Sequence, residues 1–515
     1  MATLTTDTTT GTTNTTTGTT TGTTTTDTLH DEGHSVGGLV LCGATLWDWV
    51  GRKSSTNAKT IDFASGEFPA PHIFGPAAYI NVVQVFTHCT SAHAVIIDDM
   101  GAAYTFGRNQ NGQLGDGTTT SRSEPYKVVI KGEKFVKAAV GRSHTVLVSA
   151  SGRVYVTGEN KVLQLGVKVV SDHKSFVQVT AVKGQTVVDA ACGADYTLVI
   201  TDAGTLFAWG SPQYGQLGDG KDHCYISGTN RMTYDPQMPK PITWVKDKKI
   251  VAITCGTNHS LALDDQGVVY SWGCGGYGRL GLPDSPPKDI MVPTEVPGFK
   301  DRNNSVKKIA CGPTSCMAID ARNALHLWGK WKQSGDGGQG TPWLYPKHYQ
   351  GLSGWEVYEI SAGAVSLFAL AGDSCVSWGQ NATHGELGHG MNAPRSATNA
   401  DIVRGLEGIA VSKVACAIGF SLMVVDRSAA KFATLPVIGE LVKTAPVVSP
   451  AALSASAKKK PVTAATATAD AKPKDAKAAP AAKGKRKAPA DSADTPNAGS
   501  KPAATKPKRG HNGAA

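Results

Sequence analysis

Seven times along these 515 residues the same line of text returns. An apolar stretch leads to Cys-Gly or a stand-in, then two residues and a histidine or its substitute. A second apolar stretch, a turn and a third stretch ending in Trp-Gly or Phe-Gly follow, and Gly-Gln-Leu-Gly closes the unit. "AAVGRSHTVLVSASGRVYVTGENKVLQLG" (138–166), "AACGADYTLVITDAGTLFAWGSPQYGQLGDG" (190–220) and "ITCGTNHSLALDDQGVVYSWGCGGYGRLG" (253–281) show it best. A unit this short cannot bury both of its faces, so neighbouring units must stack. The apolar stretches run to about four to six residues rich in Val, Ile, Leu, Tyr and Trp, which reads as strands.

The glycine ending the third stretch falls at 43, 107, 158, 210, 273, 329 and 379. The Cys-Gly position falls near 90, 141, 193, 256, 312, 363 and 417. Both series have seven members, but they are out of phase. The chain opens on a third-strand piece and ends on an unfinished unit. We therefore expect an all-β, seven-bladed β-propeller, in which the strand near 39–42 completes the blade begun by 411–425. The glycines of Gly-Gln-Leu-Gly are expected to supply positive φ, with Leu114, Leu165, Leu217, Leu280 and Leu387 plugging blade contacts. Unequal spacing marks insertions, the longest between 220 and 250, and loops on a rigid scaffold are where binding concentrates.

The propeller is expected to span 37–430. Residues 1–36, with 19 Thr in the first 28 positions, and residues 431–515 are too polar to pack a core and read as disordered. Residues 451–515 hold 14 basic and 4 acidic side chains, a surplus equal to the whole +10 of the chain. Two clusters stand out there: Lys483, Lys485, Arg486 and Lys487, then Lys506, Lys508 and Arg509. Such clusters read as nuclear import signals or as salt-dependent, sequence-independent contacts to DNA in chromatin, with a solvated linker as the bland alternative. No stretch offers about 20 apolar residues and no signal peptide opens the chain, so no membrane partner is expected.

Cys192, Cys255, Cys311 and Cys416 recur at one place in the repeat, which favours a small buried residue over a disulfide framework. No Cys-x-x-Cys pair or zinc spacing occurs, and neither metal nor cofactor is expected. His93, His144 and His259 repeat once per unit; a structural hydrogen-bond tie is the bland reading of such residues. No nucleophile motif, phosphate loop or paired carboxylate is present. Gly273–Gly278 imitates a dinucleotide fingerprint but has no helix after it. An enzyme making or breaking covalent bonds is not expected.

The pattern resembles the regulator-of-chromosome-condensation family of seven-bladed propellers over about 37–430. "CGATLWDWVGRK" (42–53), "SWGCGGYGRLG" (271–281) and "THGELGHG" (383–390) carry the resemblance, closest to the family's second-regulator branch. So does a fifth repeat that lacks Gly-Gln-Leu-Gly after Trp328-Gly329 and runs instead to "YPK" (345–347) and "LSGW" (352–355). The resemblance implies a guanine nucleotide exchange factor or regulator of a small GTPase of Rho/Rac, Ral or Ran type. It also implies action in the nucleus, at chromosomes or centromeres and on spindle microtubules in mitosis, with some protein in the cytoplasm. The alternative is a scaffold without exchange activity that docks chromatin or cytoskeletal partners. The founding member's exchange face uses Asp and His at blade turns, so Asp195, His144 and His259 are the implied partner-binding residues. Asp195 adds a charge where other repeats carry Ser143 or Asn258.

Overall fold

The computed structural model describes residues 37–51, 66–283, 286–299, 304–331 and 342–441. Among them, seven antiparallel sheets follow one another along the chain. Blades one to six have four strands each, spanning 82–127, 135–178, 187–241, 250–295, 306–348 and 357–402. The first strand of each blade contacts the first strands of its neighbours, so these strands form the inner ring and each sheet runs outward from it. Alternation is suspended in the second strands: His144–Ser149, Tyr196–Thr201 and His259–Asp264 are buried at every position. Both faces of these strands meet a neighbouring blade, so they read as continuous apolar runs.

The seventh blade is a composite. Val411–Cys416 and Phe420–Asp426 come from the C-terminal side; Gly37–Ala44 and Glu67–Phe74 come from the N-terminal side. Gly37–Ala44 pairs antiparallel with Phe420–Asp426, Leu39 opposite Val424 and Leu41 opposite Leu422. The expected ring closure is thus present, and it explains the phase offset of the repeat. The fold does run past the expected boundary at 430. Val437–Ile438 lies parallel to Ile73–Phe74 as a fifth, edge strand of the closing blade. The residue-period patterns carried no trace of so short a strand. The tails at 1–36 and 442–515, the basic clusters included, lie outside the described residues.

The Gly-Gln-Leu-Gly motif joins one blade to the next. Leu114, Leu165, Leu217, Leu280 and Leu387 are all buried. The final glycine lies flat against the next blade. A Cβ on Gly166, Gly218 or Gly281 would stand 2.9, 2.8 or 3.0 Å from the indole nitrogen of Trp209, Trp272 or Trp328. These glycines also have φ of +68°, +72° and +69°, so conformation and space both exclude a side chain.

A candidate partner-docking face

Successive strands of a blade alternate in direction, so the turn between strands one and two and the loop between strands three and four lie at the same end of the ring. That end carries every Cys-Gly turn and every Gly-Gln-Leu-Gly loop, and with them most of the insertions. The insertion between 220 and 250 contains a hairpin, Cys224–Ile226 paired with Met232–Tyr234. Tyr225, Ile226 and Met232 on it are exposed. The sequence marked the insertion but not the hairpin, because three-residue strands leave no readable period.

His144 and His259 do not face a partner. Both are fully buried and reach sideways to the next blade. His144 Nε2 is 3.1 Å from Thr197 Oγ1, as His93 Nε2 is 2.9 Å from Thr145 Oγ1. Those hydroxyls in turn donate to the main-chain carbonyls of Gln164 and Gln113, at 2.9 and 2.7 Å. The hydroxyl proton is committed to the carbonyl, so the imidazole must donate from Nε2. Burial drives the His93 and His144 pKa values down to about 3, and that of His259 well below the usual value. They are neutral ties between blades. The Cys-Gly glycine exists for them: a Cβ on Gly141 or Gly256 would fall 2.1 or 2.0 Å from the ring of His144 or His259.

Three joints repeat one acceptor. The carbonyl before the leucine takes a bond from Trp Nε1 of the following blade: Gln164 from Trp209 at 3.0 Å, Gln216 from Trp272 at 2.8 Å, Arg279 from Trp328 at 2.9 Å. A hydroxyl or thiol opposite that tryptophan adds a second bond to it, from Thr197, Ser260 or Cys316.

Asp195 sits in the turn of the third blade, as the repeat placed it. It forms an ion pair with Arg142, from the equivalent turn of the second blade. The Arg142 side chain is 55% exposed and that of Asp195 23%. Burial raises the Asp195 pKa, and Arg142 opposes that shift. Its Oδ1 is buried and has no hydrogen-bond partner. Asp195 therefore bridges two blades at the rim of the face and keeps unspent acceptor capacity. Of the three residues singled out from the sequence, it alone is exposed enough to be touched.

Two features escaped the sequence reading. The first blade's turn is two residues longer than the second's, and the extra length carries His88 and Cys89 across the ring. His88 Nε2 lies 3.1 Å from the carbonyl of Cys255, three blades away, and burial lowers its pKa to about 4. The longer spacing from Phe86 to His93 was the available signal. Second, donor atoms of His259, Cys311 and Cys316 lie within 4.8 Å of one another, although no zinc spacing links them in sequence. His259 Nε2 is 3.1 Å from Cys316 Sγ, and the two sulfurs are 3.5 Å apart. This is the same joint with cysteine in the threonine place. His259 Nδ1 has no partner, whereas metal-bound histidines have that nitrogen held. The donor set fits a joint better than a metal.

The family described as RCC1-like domain matches residues 42–424. The RCC2 homologue of Danio rerio is 35% identical over 403 residues, covering 75% of this chain and 80% of that protein. The Xenopus laevis homologue is 36% identical over 393 residues, covering 72% and 74%. RCC2 of Homo sapiens is 34% identical over 403 residues, covering 75% and 76%. Among solved structures, Prp20p of Saccharomyces cerevisiae superposes with a TM-score of 0.62 at 18% identity, covering 78% of this chain and 94% of its own. Human WBSCR16 does so at 0.61 and 18%, covering 76% and 99%. The chain belongs to the RCC1-like domain family, the regulators of chromosome condensation, and is similar to the RCC2 proteins over about three quarters of its length.

Proposed function

We propose that this propeller docks a small GTPase on the face that carries the blade turns and loops, and acts as its exchange factor or regulator at chromosomes and the mitotic spindle. The observation that carries this reading is the Arg142–Asp195 pair, a charged bridge at the rim of a rigid ring, on the scaffold of the RCC2 proteins. Prp20p, which shares the fold, is described by its binding to Gsp1p and histones. An exchange factor also needs an element that enters the nucleotide site. The 224–234 hairpin, with Tyr225, Ile226 and Met232 exposed, is suited to it. The basic clusters around Lys485–Lys487 and Lys506–Arg509 supply nuclear targeting or chromatin contact in this reading.

Release of a fluorescent GDP analogue from a panel of Rho/Rac, Ral and Ran-type GTPases tests it. Acceleration by the intact chain, lost when 224–234 is replaced by Gly-Ser, supports exchange. GTPase binding without acceleration supports a regulator or scaffold. Absence of binding to any member refutes the reading.

A further inference from the structure

The hairpin that opens the fifth blade carries a cysteine on each strand. Val306–Cys311 and Ser315–Asp320 pair antiparallel, with Cys311 directly opposite Cys316 on the last rung before the turn. Gly312 N bonds the carbonyl of Ser315, so the next rung is hydrogen-bonded and the cysteine rung is not. Rungs of that kind bring the Cα atoms to about 4.5 Å, inside the range of about 4.4–6.8 Å that a disulfide spans. The two sulfurs are 3.5 Å apart. In other blades the same rung holds Val140 with Thr145, Cys192 with Thr197, Cys255 with Ser260, Ala362 with Leu367 and Cys416 with Ser421. Cys311 thus stands at the recurrent cysteine place, and Cys316 is a second thiol where four blades carry a hydroxyl.

The two thiols have different surroundings. Cys316 Sγ donates to the carbonyl of Arg279 at 3.3 Å and lies 3.1 Å from His259 Nε2. With the thiol proton turned to the carbonyl, the imidazole N–H points at the sulfur, and a thiolate accepts that bond more strongly than a thiol does. Cys316 is therefore the sulfur set to attack an oxidant. Burial raises the pKa of Cys311, which keeps it protonated until an electrophilic sulfur forms beside it. Both side chains are buried, but they form the last rung before the turn, and Pro313 and Thr314 in that turn are partly exposed. Opening of this one turn admits a molecule the size of water.

We infer that Cys311 and Cys316 are a redox site, converted by hydrogen peroxide into a reversible disulfide across the hairpin. Cys316 Sγ attacks one peroxide oxygen: the S–O bond forms, the O–O bond breaks, and hydroxide leaves with the thiol's proton as water. Cys311 Sγ then attacks the sulfenic sulfur: the S–S bond forms, the S–O bond breaks, and a second water leaves with the Cys311 proton. The two cysteines lose two protons and two electrons, and the peroxide is reduced to two waters. A disulfide has no S–H. The Arg279 carbonyl then keeps the bond from Trp328 alone, and His259 loses its thiol partner. Arg279 also holds the turn of the fifth blade, through the carbonyl of Pro313 at 2.9 Å, so oxidation acts where the fourth blade's loop grips the fifth blade. The inference does not depend on GTPase binding.

Both cysteines fall in one tryptic peptide, 309–322, which holds no other cysteine. The folded full chain is treated with hydrogen peroxide, quenched with catalase, alkylated with N-ethylmaleimide in urea, and digested for mass spectrometry. Peptide 309–322 should appear about 2 Da lighter and unalkylated, and dithiothreitol before alkylation should restore both thiols. Its thiols should be lost at least tenfold faster than those of Cys192 and Cys375, which face Thr197 and Leu370. Exposed Cys224 is the internal standard for the oxidant. Cys316→Ser copies Ser260 and Cys311→Ala copies Ala362, side chains that other blades carry at these places, so both variants should fold. In Cys311→Ala the sulfenic acid on Cys316 has no thiol to resolve it, and dimedone should trap it. In Cys316→Ser the remaining Cys311 should oxidise as slowly as Cys192. Amide exchange of residues 278–281 should be threefold or more faster in the oxidised chain, and indifferent to peroxide in Cys316→Ser. Retention of both thiols while Cys224 is oxidised, a disulfide from Cys311 to Cys89, or pairing seen only in urea overturns the inference. Unchanged exchange at 278–281 overturns the effect on the joint. Should either variant fail to fold, the peptide map of the unmodified chain still decides the matter.

Discussion

Replacing Gly218 with alanine tests the joint logic at its tightest point. Gly218 has a φ of +72°, and a Cβ there would meet Trp272 Nε1 at 2.8 Å, Trp272 Cδ1 at 3.2 Å and Ile242 Cδ1 at 3.3 Å. Left-handed backbone costs an alanine about 1–2 kcal/mol. Forcing a methyl into a packed core costs about 1–3 kcal/mol more. Trp272 is fully buried and tied to Gln216, so it cannot swing aside cheaply. The expected loss for Gly218→Ala is therefore about 2–5 kcal/mol in urea unfolding followed by tryptophan fluorescence. Gly132→Ala isolates the backbone share, because Gly132 has a φ of +79° and nothing within 4 Å of its would-be Cβ. It should lose only about 1–2 kcal/mol. Adding Trp272→Phe removes the nearest clashing atom, so the double variant should be less destabilised than the two single losses added, by about 0.5–2 kcal/mol. Equal losses at 218 and 132, or strict additivity with Trp272→Phe, would refute the claim that this glycine is there for the next blade's tryptophan.

Removing residues 1–36 should leave the melting temperature nearly unchanged, whereas removing 1–46 takes out the buried strand Gly37–Ala44, including Leu39, Val40 and Leu41, and should abolish cooperative unfolding; equal stability of the two truncations would remove the closure argument. His144 is neutral when folded, its pKa near 3, while an unfolded histidine titrates near 6.5, so the unfolded chain binds more protons below that pH and stability falls as pH drops. His144→Asn should flatten the dependence of unfolding free energy on pH by about 1.4 kcal/mol per unit between 6 and 5, and an unchanged slope would mean the ring is not buried as described. Asp195→Asn should change stability by under about 1 kcal/mol, because its partner Arg142 is mostly exposed, yet weaken partner binding about tenfold; a large stability loss with intact binding would make the pair purely structural. Changing Lys485, Arg486, Lys487, Lys508 and Arg509 to Gln should move the protein to the cytoplasm and lessen the salt dependence of DNA binding, and an unaltered distribution would assign targeting to the propeller.

Much of the architecture was legible because a repeat writes its structure seven times. Strand length, the glycines of the turns and the buried leucines all follow from local pattern, and the phase offset between two seven-member series sufficed to place Gly37–Ala44 beside Phe420–Asp426. Val437–Ile438 escaped because two residues carry no period, and its pairing with Ile73–Phe74 depends on where the closing blade leaves an open edge. The site was far less legible. His144, His259 and Asp195 stand at like places in the repeat, yet two are sealed between blades and the third lies at the rim. Sequence spacing gives a residue's place along its own strand; its exposure depends on the neighbouring blade.

What the chain determined by itself is therefore the unit: three or four short strands, a turn, a loop, and the number of repetitions. What only the tertiary structure decided is what each motif is for. Trp-Gly and Gly-Gln-Leu-Gly look like parts of one repeat, but their partners are in different blades: the loop of one supplies the carbonyl that the tryptophan of the next requires. Hydrogen bonds and packing act through space across a joint, with about 45 to 56 residues of chain between the partners. For the same reason, the absence of Gly-Gln-Leu-Gly from the fifth repeat is a mere irregularity in the sequence. In the folded ring Trp378 Nε1 is buried without the acceptor that its counterparts have.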